Sequence, residues 1–194
     1  MERMKCLCKV LFYLFQLYEV AKGKMNIPFS EHFYFFISGY VWVKVYQHNL
    51  AGGFFADAEA ARESNPTDPS ADLYSILNRV EEFRKDGVFH IRFCWPEVTS
   101  GLINDFPCNE WTQSSNFAEE IEIEDFEPIA LSFTGYFGGL AVSPPSSCCN
   151  LIDATPLTGH WWYSVGTYSS FGRGFPGPHP TSVTQSRIYL SAGK

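Results

Sequence analysis

A run of hydrogen-bonding side chains surrounds one tryptophan in residues 109–116, which read NEWTQSSN. Amide and carboxylate groups can bind sugar hydroxyls, and an indole ring can pack against the apolar face of a sugar. The pattern therefore predicts a glycan site made by Asn109, Glu110, Trp111 and Gln113, with Trp111 stacked on the sugar ring. The alternative is a turn network, in which the same polar side chains brace a loop.

Three more polar residues complete the predicted ligand site. His48 ends an apolar run, Asp153 leads into the aromatic segment GHWWYSVG, and His160 lies within that segment. We expect all three to face a ligand from loops at one end of a sheet. For His48 the alternative is a buried histidine whose hydrogen bonds are satisfied inside the protein.

Recognisable catalytic motifs are missing from the sequence, including Gly-x-Ser-x-Gly, His-Glu-x-x-His and a phosphate-binding Gly-Lys-Ser/Thr run. We therefore expect a non-catalytic protein with no cofactor and no metal. Acidic residues in 118–127 offer oxygen ligands of the kind that Ca²⁺ prefers, but their spacing is not that of an EF-hand loop. Glu97, Asp105 and Glu110 are the carboxylates that a glycoside hydrolase would need, which is the enzymatic alternative.

The disulfide candidates are Cys94, Cys108, Cys148 and Cys149, and four cysteines allow three pairings. The adjacent pair could join only with strain, whereas Cys94 and Cys108 would close a short loop. A set of disulfides implies an oxidising compartment, and hence a secreted, extracellular protein. Four free thiols in a cytosolic protein are the alternative.

The N-terminal residues 1–24 resemble a secretory signal peptide, because basic residues precede the short apolar centre 10–18. A bilayer span needs about 20 apolar residues, so we expect no stable membrane span. An amphipathic N-terminal segment is the other interpretation.

Charge and composition narrow the class of partner. The net charge is −7, from 14 basic and 21 acidic residues, and no basic stripe follows residue 25. This argues against nucleic acid as a partner and leaves a glycan or cell-surface ligand. We therefore interpret the chain as a secreted recognition module. The alternative is a structural matrix or adhesion protein with no small-molecule site.

The hydrophobic pattern predicts an α+β fold dominated by an antiparallel sheet. Continuous or alternating apolar residues predict a central strand at 40–46, a half-buried strand at 88–95 and a last strand at 183–190. Apolar residues at helical spacing predict one amphipathic helix over about 69–85, packed on the sheet among long irregular loops. No linker divides the chain, so residues 33–192 are predicted to form a single β-rich recognition domain.

Four aromatic residues are predicted to form the structural core. Adjacent tryptophans in an extended run point to opposite faces of a sheet, which places Trp161 and Trp162 on either side of their strand. Tyr163 follows them in the same run. Trp42 lies in the predicted central strand.

Five features in chain order resemble the fibrinogen C-terminal-like domains over about residues 42–190. They are the Trp-led run Trp42–Gln47, the alternating Phe89, Ile91 and Phe93, the run Ser132–Tyr136, Cys149 followed by Gly159–Tyr163, and the last strand to Tyr189. The resemblance implies a secreted recognition domain in which Trp161, Trp162 and Tyr163 are mainly core. Ser143–Ser147 replaces the family's Asp-x-Asp calcium loop, so calcium-dependent binding of acetyl groups is not implied.

Overall fold

A computed structural model describes residues 34–37, 39–98, 107–144, 149–154, 162–178 and 180–194. All of these residues belong to one compact unit, His32–Lys194. The predicted signal peptide at 1–24 lies outside the described residues, as do Cys148, His160 and Trp161.

Short strands make up most of the regular structure. They are β1 (Tyr34–Ile37), β2 (Tyr40–Asn49), β3 (Glu63–Ser64), β4 (Leu73–Ile76), β5 (Phe89–Cys94), β6 (Cys108–Gln113), β7 (Glu127–Leu131), β8 (Ala141–Val142), β9 (Ile152–Asp153), β10 (Phe175–Pro176), β11 (Ser182–Val183) and β12 (Gln185–Gly193). One short α-helix, α1, covers Ala58–Arg62. Three 3-10 helices cover Leu50–Gly52, Leu77–Phe83 and Pro96–Val98.

Eight strands form one antiparallel sheet in the order β3-β4-β2-β12-β5-β6-β7, with β1 also paired to β2. The pairs β8-β9 and β10-β11 form two small sheets. The prediction of a mostly antiparallel β fold is confirmed. The three predicted strands correspond to β2, β5 and β12, which lie next to or near one another at the centre of the sheet.

The helix predicted over 69–85 is wrong. Leu73–Ile76 is strand β4, which pairs with β2, and only Leu77–Phe83 is helical, as a 3-10 helix. Leu77, Val80 and Phe83 are three residues apart and all buried. A repeat of three matches the 3-10 helix, in which positions i and i+3 lie one above the other.

The acidic segment 118–127 lies mostly outside the regular strands. Residues 118–126 form turns and bends, and β7, which begins at Glu127, is a strand at one edge of the sheet. Its register against β6 shifts between Glu110 and Trp111, and its second residue is Pro128. A charge, a proline and an irregular register all discourage pairing of an edge with another chain.

One side of the four central strands carries the main core. Its cross-strand rows are Val43, Leu190, Ile91 and Trp111, and Tyr46, Ile188, Phe93 and Asn109. All eight side chains are buried. Phe93 and Trp95 contact each other, and Trp95 also contacts Tyr163 from the loop region near the C-terminus.

The predicted core residues that the structure describes differ in burial. Trp42 and Tyr163 are buried, whereas Trp162 is only half-buried. The described part of the predicted strand, Trp162–Ser164, is not a strand. Tyr163 has a φ of +58°, and this left-handed conformation interrupts an extended run.

Candidate functional site

The polar residues around Trp111 form a buried internal network. The amide of Gln113 accepts a hydrogen bond from the Trp111 indole at 2.8 Å and one from the Leu140 backbone N–H at 3.1 Å. Its NH₂ group donates to the carbonyl and hydroxyl oxygens of Ser115 and to the Leu140 carbonyl. Gln113 therefore ties the end of β6 to the segment that precedes β8.

Asn109 makes a similar connection at the other end of β6. Its amide donates to the Phe133 carbonyl at 2.7 Å and accepts from the Phe133 N–H at 2.9 Å. These two bonds satisfy the backbone of a residue just beyond β7. Asn109 and Gln113 thus act as loop braces, which is the alternative interpretation that the sequence left open.

Trp111 does not offer a ring to a ligand. Its side chain is 0% exposed and its ring lies edge-on to Phe137, with centroids 4.8 Å apart. Stacking on a sugar requires a free ring face, so the structure does not support that role for Trp111. Period-2 alternation explains the burial, because Trp111 shares its side of β6 with Asn109 and Gln113.

His48 is also an internal residue. Its ring is fully buried and stacks on Phe175 at 4.3 Å. Nε2 lies 3.0 Å from the Gly53 carbonyl and Nδ1 lies 3.2 Å from the Thr167 hydroxyl. Burial lowers the pKa of His48 to about 4, so the ring is neutral at pH 7. The structural interpretation of His48 fits these contacts.

Asp153 is buried on β9, where its carboxylate accepts a hydrogen bond from the Ser143 hydroxyl at 3.1 Å. The predicted ligand residues therefore do not come together at an open surface. Of the seven, the described Asn109, Trp111, Gln113, His48 and Asp153 are all buried, and His160 lies outside the described residues.

Glu110 differs from the others because it points to the opposite side of the sheet. On that side the register places Lys44, Tyr189, Arg92 and Glu110 in one row across β2, β12, β5 and β6. We call this surface the Trp42 face. Its members are Tyr40, Trp42, Lys44, His90, Arg92, Glu110, Arg187 and Tyr189.

The Glu110 carboxylate is the electrostatic centre of the Trp42 face. One oxygen lies 2.9 Å from His90 Nε2, and the other lies 3.5 Å from Arg92 Nε. The side chains of His90, Arg92 and Glu110 are 12%, 18% and 17% exposed. They combine an acceptor and several donors at a surface that solvent can partly reach.

Aromatic rings border these charged groups. The His90 ring lies 4.6 Å from Tyr40 and 4.7 Å from Trp42, edge-on to both. The Arg92 guanidinium lies 5.8 Å from the Trp42 ring, and the Lys194 ammonium lies 5.0 Å from Tyr40. Tyr40 is half-buried and so exposes part of its ring.

Two of the buried donor atoms on this face make no hydrogen bond to a described residue. They are Trp42 Nε1 and Arg92 Nε, although Arg92 keeps its ion pair with Glu110. A buried donor without an acceptor costs about 1–3 kcal/mol.

Lys44 extends the face towards the loop that precedes β4. Its ammonium donates to Gln47 at 2.9 Å and to the Pro69 carbonyl at 2.8 Å. Burial is the main cause that lowers the pKa of Lys44 to about 8, and the charge of Arg187 acts in the same direction. The loop thus covers this end of the face and leaves its Glu110 end more accessible.

A disulfide joins β5 and β6 beside the charged row. Cys94 and Cys108 are direct cross-strand partners and are bonded to each other, as the short-loop pairing predicted. The bond packs with Trp42 and Tyr189 in one hydrophobic cluster. Cys149 is disulfide-bonded as well.

Two of the carboxylates considered for a glycoside hydrolase, Glu97 and Glu110, have partners within the fold. Glu97 accepts hydrogen bonds from the backbone N–H and the hydroxyl of Thr184, which fixes it as a brace beside β12. Asp105 lies outside the described residues. Within the described ranges, no group of three His, Cys, Asp or Glu side chains could hold a metal ion.

His90, Arg92 and Tyr40 were not among the ligand residues predicted from the sequence. The signal for two of them was present, because His90 and Arg92 alternate with the aromatic positions of the strand predicted at 88–95. No analysis of a single strand shows that Glu110 lies opposite Arg92, because that pairing depends on the register between β5 and β6.

No protein-family model, curated protein or solved structure matches this chain. The resemblance to fibrinogen C-terminal-like domains therefore stays a prediction. Over the residues that the structure describes, no helix has the length and apolar character needed to cross a membrane.

Proposed function

We propose that the protein is a secreted, non-catalytic recognition module that binds a glycan on the Trp42 face. The observation that carries the proposal is the combination of Tyr40, His90, Arg92 and Glu110 on one partly exposed surface. A carboxylate, a guanidinium and an imidazole suit paired hydroxyls, and an aromatic ring suits the apolar face of a sugar. This is the chemistry first expected of the Trp111 segment, moved to the other side of the same strand.

The rigidity of the surface supports a binding role. His90, Arg92 and Glu110 stand on adjacent strands β5 and β6, which the Cys94–Cys108 bond joins. Groups fixed on strands lose little freedom when a ligand binds, so more of the interaction energy becomes affinity. The glycan would thus meet a surface that is already arranged.

The disulfide bonds support the proposed location outside the cell. Disulfides form and persist in secreted proteins and are rare in the cytosol. The Cys94–Cys108 bond and the bonded Cys149 fit that setting.

The contacts of the Glu110 carboxylate favour a binding role over a catalytic role. Both carboxylate oxygens have a cationic or donor partner, His90 on one side and Arg92 on the other. A carboxylate with partners on both oxygens serves as a hydrogen-bond acceptor. A glycosidase would require a second carboxyl group across the bond to be cleaved.

A glycan array probed with the oxidised, full-length protein tests the proposal. Tyr40→Ala removes the exposed ring of the Trp42 face, and Tyr136→Ala removes an exposed tyrosine outside it. We expect the wild type and Tyr136→Ala to bind the same glycans, and Tyr40→Ala to bind them about tenfold more weakly, which is 1.4 kcal/mol.

Thermal melts keep this test separate from folding. Each variant should unfold cooperatively and within a few degrees of the wild type, since neither side chain belongs to the main core. The absence of any glycan signal from the folded wild type would refute the proposed function. Full binding by folded Tyr40→Ala would refute its assignment to the Trp42 face.

A further inference from the structure

We propose that the glycan bound by the Trp42 face is acidic, and that its sulfate or carboxylate group binds at Arg92 and the indole N–H of Trp42. This inference rests on the proposed function and specifies the class of ligand. It follows from the charge, the register and the hydrogen bonding of the face.

The charge of the Trp42 face is opposite in sign to that of the whole chain. The four central strands β2, β12, β5 and β6 contain the cations Lys44, Arg92 and Arg187 and a single carboxylate, Glu110. The complete sequence has a net charge of −7. A local excess of cations in an acidic protein favours an anionic partner at that place.

The register concentrates these cations around one tyrosine. Tyr189 lies opposite Lys44 on one side and opposite Arg92 on the other, while Arg187 precedes it by two residues on the same strand. Burial raises the pKa of Tyr189, and the charges of Arg187 and Arg92 both act in the opposite direction. Positive potential from two arginines therefore reaches the same side chain.

Glu110 compensates only part of this charge. Its two oxygens are shared between His90 and Arg92, and the separation from Arg92 Nε is 3.5 Å. An ion pair of that length is not a short bidentate contact. Arg92 consequently retains donor capacity for a second anion.

The unused polar atoms on this face are donors. Trp42 Nε1 makes no hydrogen bond in the described part of the chain, and Arg92 Nε has only the 3.5 Å ion pair with Glu110. The Arg92 guanidinium lies over the Trp42 ring at 5.8 Å, so the two groups are neighbours. Sulfate and carboxylate groups carry several acceptor oxygens, and a single group could accept from both residues.

Isothermal titration with two saccharides tests the inference. The probes are a sulfated, uronate-containing disaccharide and its neutral parent without sulfate or carboxylate. We expect the wild type to bind the sulfated form at least about tenfold more tightly, and that preference to weaken as salt is raised. Arg92→Gln should lose the preference.

Two further variants make the result specific. Arg79→Gln removes a half-buried arginine that pairs with Glu82 and is not a member of the Trp42 face, and it should keep the preference. Trp42→Phe keeps an aromatic ring but deletes the indole donor, so it should weaken binding of the sulfated probe more than binding of the neutral one. It also provides a test if Arg92→Gln fails to fold.

The possible failures are distinguishable. Equal affinity for both saccharides in the wild type, or a preference that survives in folded Arg92→Gln and Trp42→Phe, would overturn the acidic ligand but leave glycan binding intact. Failure of the folded wild type to bind any saccharide, here and on the array, would overturn the proposed function itself.

Discussion

Arg92 and Glu110 stand directly opposite each other on β5 and β6, with Arg92 Nε 3.5 Å from a Glu110 oxygen whose sister oxygen contacts His90. This ion pair joins two neighbouring strands. Glu110 is the only carboxylate in the described strands β2, β12, β5 and β6. It links the stability of the sheet to the electrostatics of the proposed binding surface.

Replacing Glu110 with Gln should destabilise the protein. The change leaves the partly buried Arg92 without its counter-charge, so we expect a loss of about 1–3 kcal/mol in the free energy of unfolding. Urea denaturation followed by tryptophan fluorescence measures it. Glu82→Gln is the matched control, because its pair with Arg79 is exposed and should contribute no more than about 0.5 kcal/mol.

Trp111 should prove to be a core residue. Trp111→Ala removes a fully buried ring in contact with Phe137, and we expect it to lower the free energy of unfolding by about 3–5 kcal/mol. Chemical denaturation checks this. A melting temperature close to that of the wild type would contradict the packing described above.

Gln113 should be important for stability even though it is polar. Gln113→Ala leaves the Trp111 indole and the Leu140 backbone without their partners, at a cost of about 1–3 kcal/mol. Gln185→Ala is a suitable control, since Gln185 is a half-buried residue at the start of β12. Equal stability of the two variants would argue against the bracing network.

His48 should make stability depend on pH. The folded state keeps His48 neutral down to about pH 4, whereas the unfolded chain protonates it near its ordinary pKa of 6.5. The unfolded state therefore binds more protons in this window, and stability is complete above pH 6.5 and falls as pH drops towards 4.

The shift in the His48 pKa corresponds to about 3 kcal/mol in the free energy of unfolding, which is lost as the pH falls. Urea midpoints measured between pH 7.5 and 4 give the slope for the wild type and for His48→Leu. The variant should be less stable at pH 7.5 but should show a smaller decline across the window. Parallel declines in both proteins would show that other groups cause the pH dependence.

Opening the Cys94–Cys108 bond should destabilise the sheet between β5 and β6. The two cysteines are 14 residues apart, and a loop of that size corresponds to about 3 kcal/mol when it is cross-linked. The double variant Cys94→Ala/Cys108→Ala measures the loss by denaturation. A peptide map without reductant should contain the Cys94 and Cys108 peptides joined to each other, and a map that links either to another cysteine would contradict the structure.

The central strands were predictable because their patterns are local. Residues 88–95 alternate strictly, and 40–46 form a continuous apolar run, so both gave the correct strand. Residues 69–85 misled the prediction because Leu73 and Ile76 fit a helical spacing, although pairing of β4 with β2 determines their structure. Gly87 was correctly predicted as a stop, and Asp86 and Gly87, both with positive φ, form the turn just before β5.

The site was harder to predict than the strands. The chemistry of the Asn109–Gln113 segment suggested a ligand, but alternation sends Asn109, Trp111 and Gln113 inward and places Glu110 and Thr112 on the other side. Which residues meet Glu110 depends on the register with β5, and a single sequence does not reveal that register. The polar character of a segment could therefore be read from its residues, whereas its exposure could not.

The indole N–H signals of the tryptophans test the central claim most directly. Trp42→Phe and Trp111→Phe assign two of the five tryptophans in a ¹⁵N-resolved spectrum of the oxidised protein. On titration with the sulfated disaccharide, we predict that the Trp42 signal shifts in a saturable manner while the Trp111 signal, bonded to Gln113, stays in place. A saturable shift of the Trp111 signal with no shift of the Trp42 signal would contradict the account and would indicate that the ligand binds on the other side of the sheet.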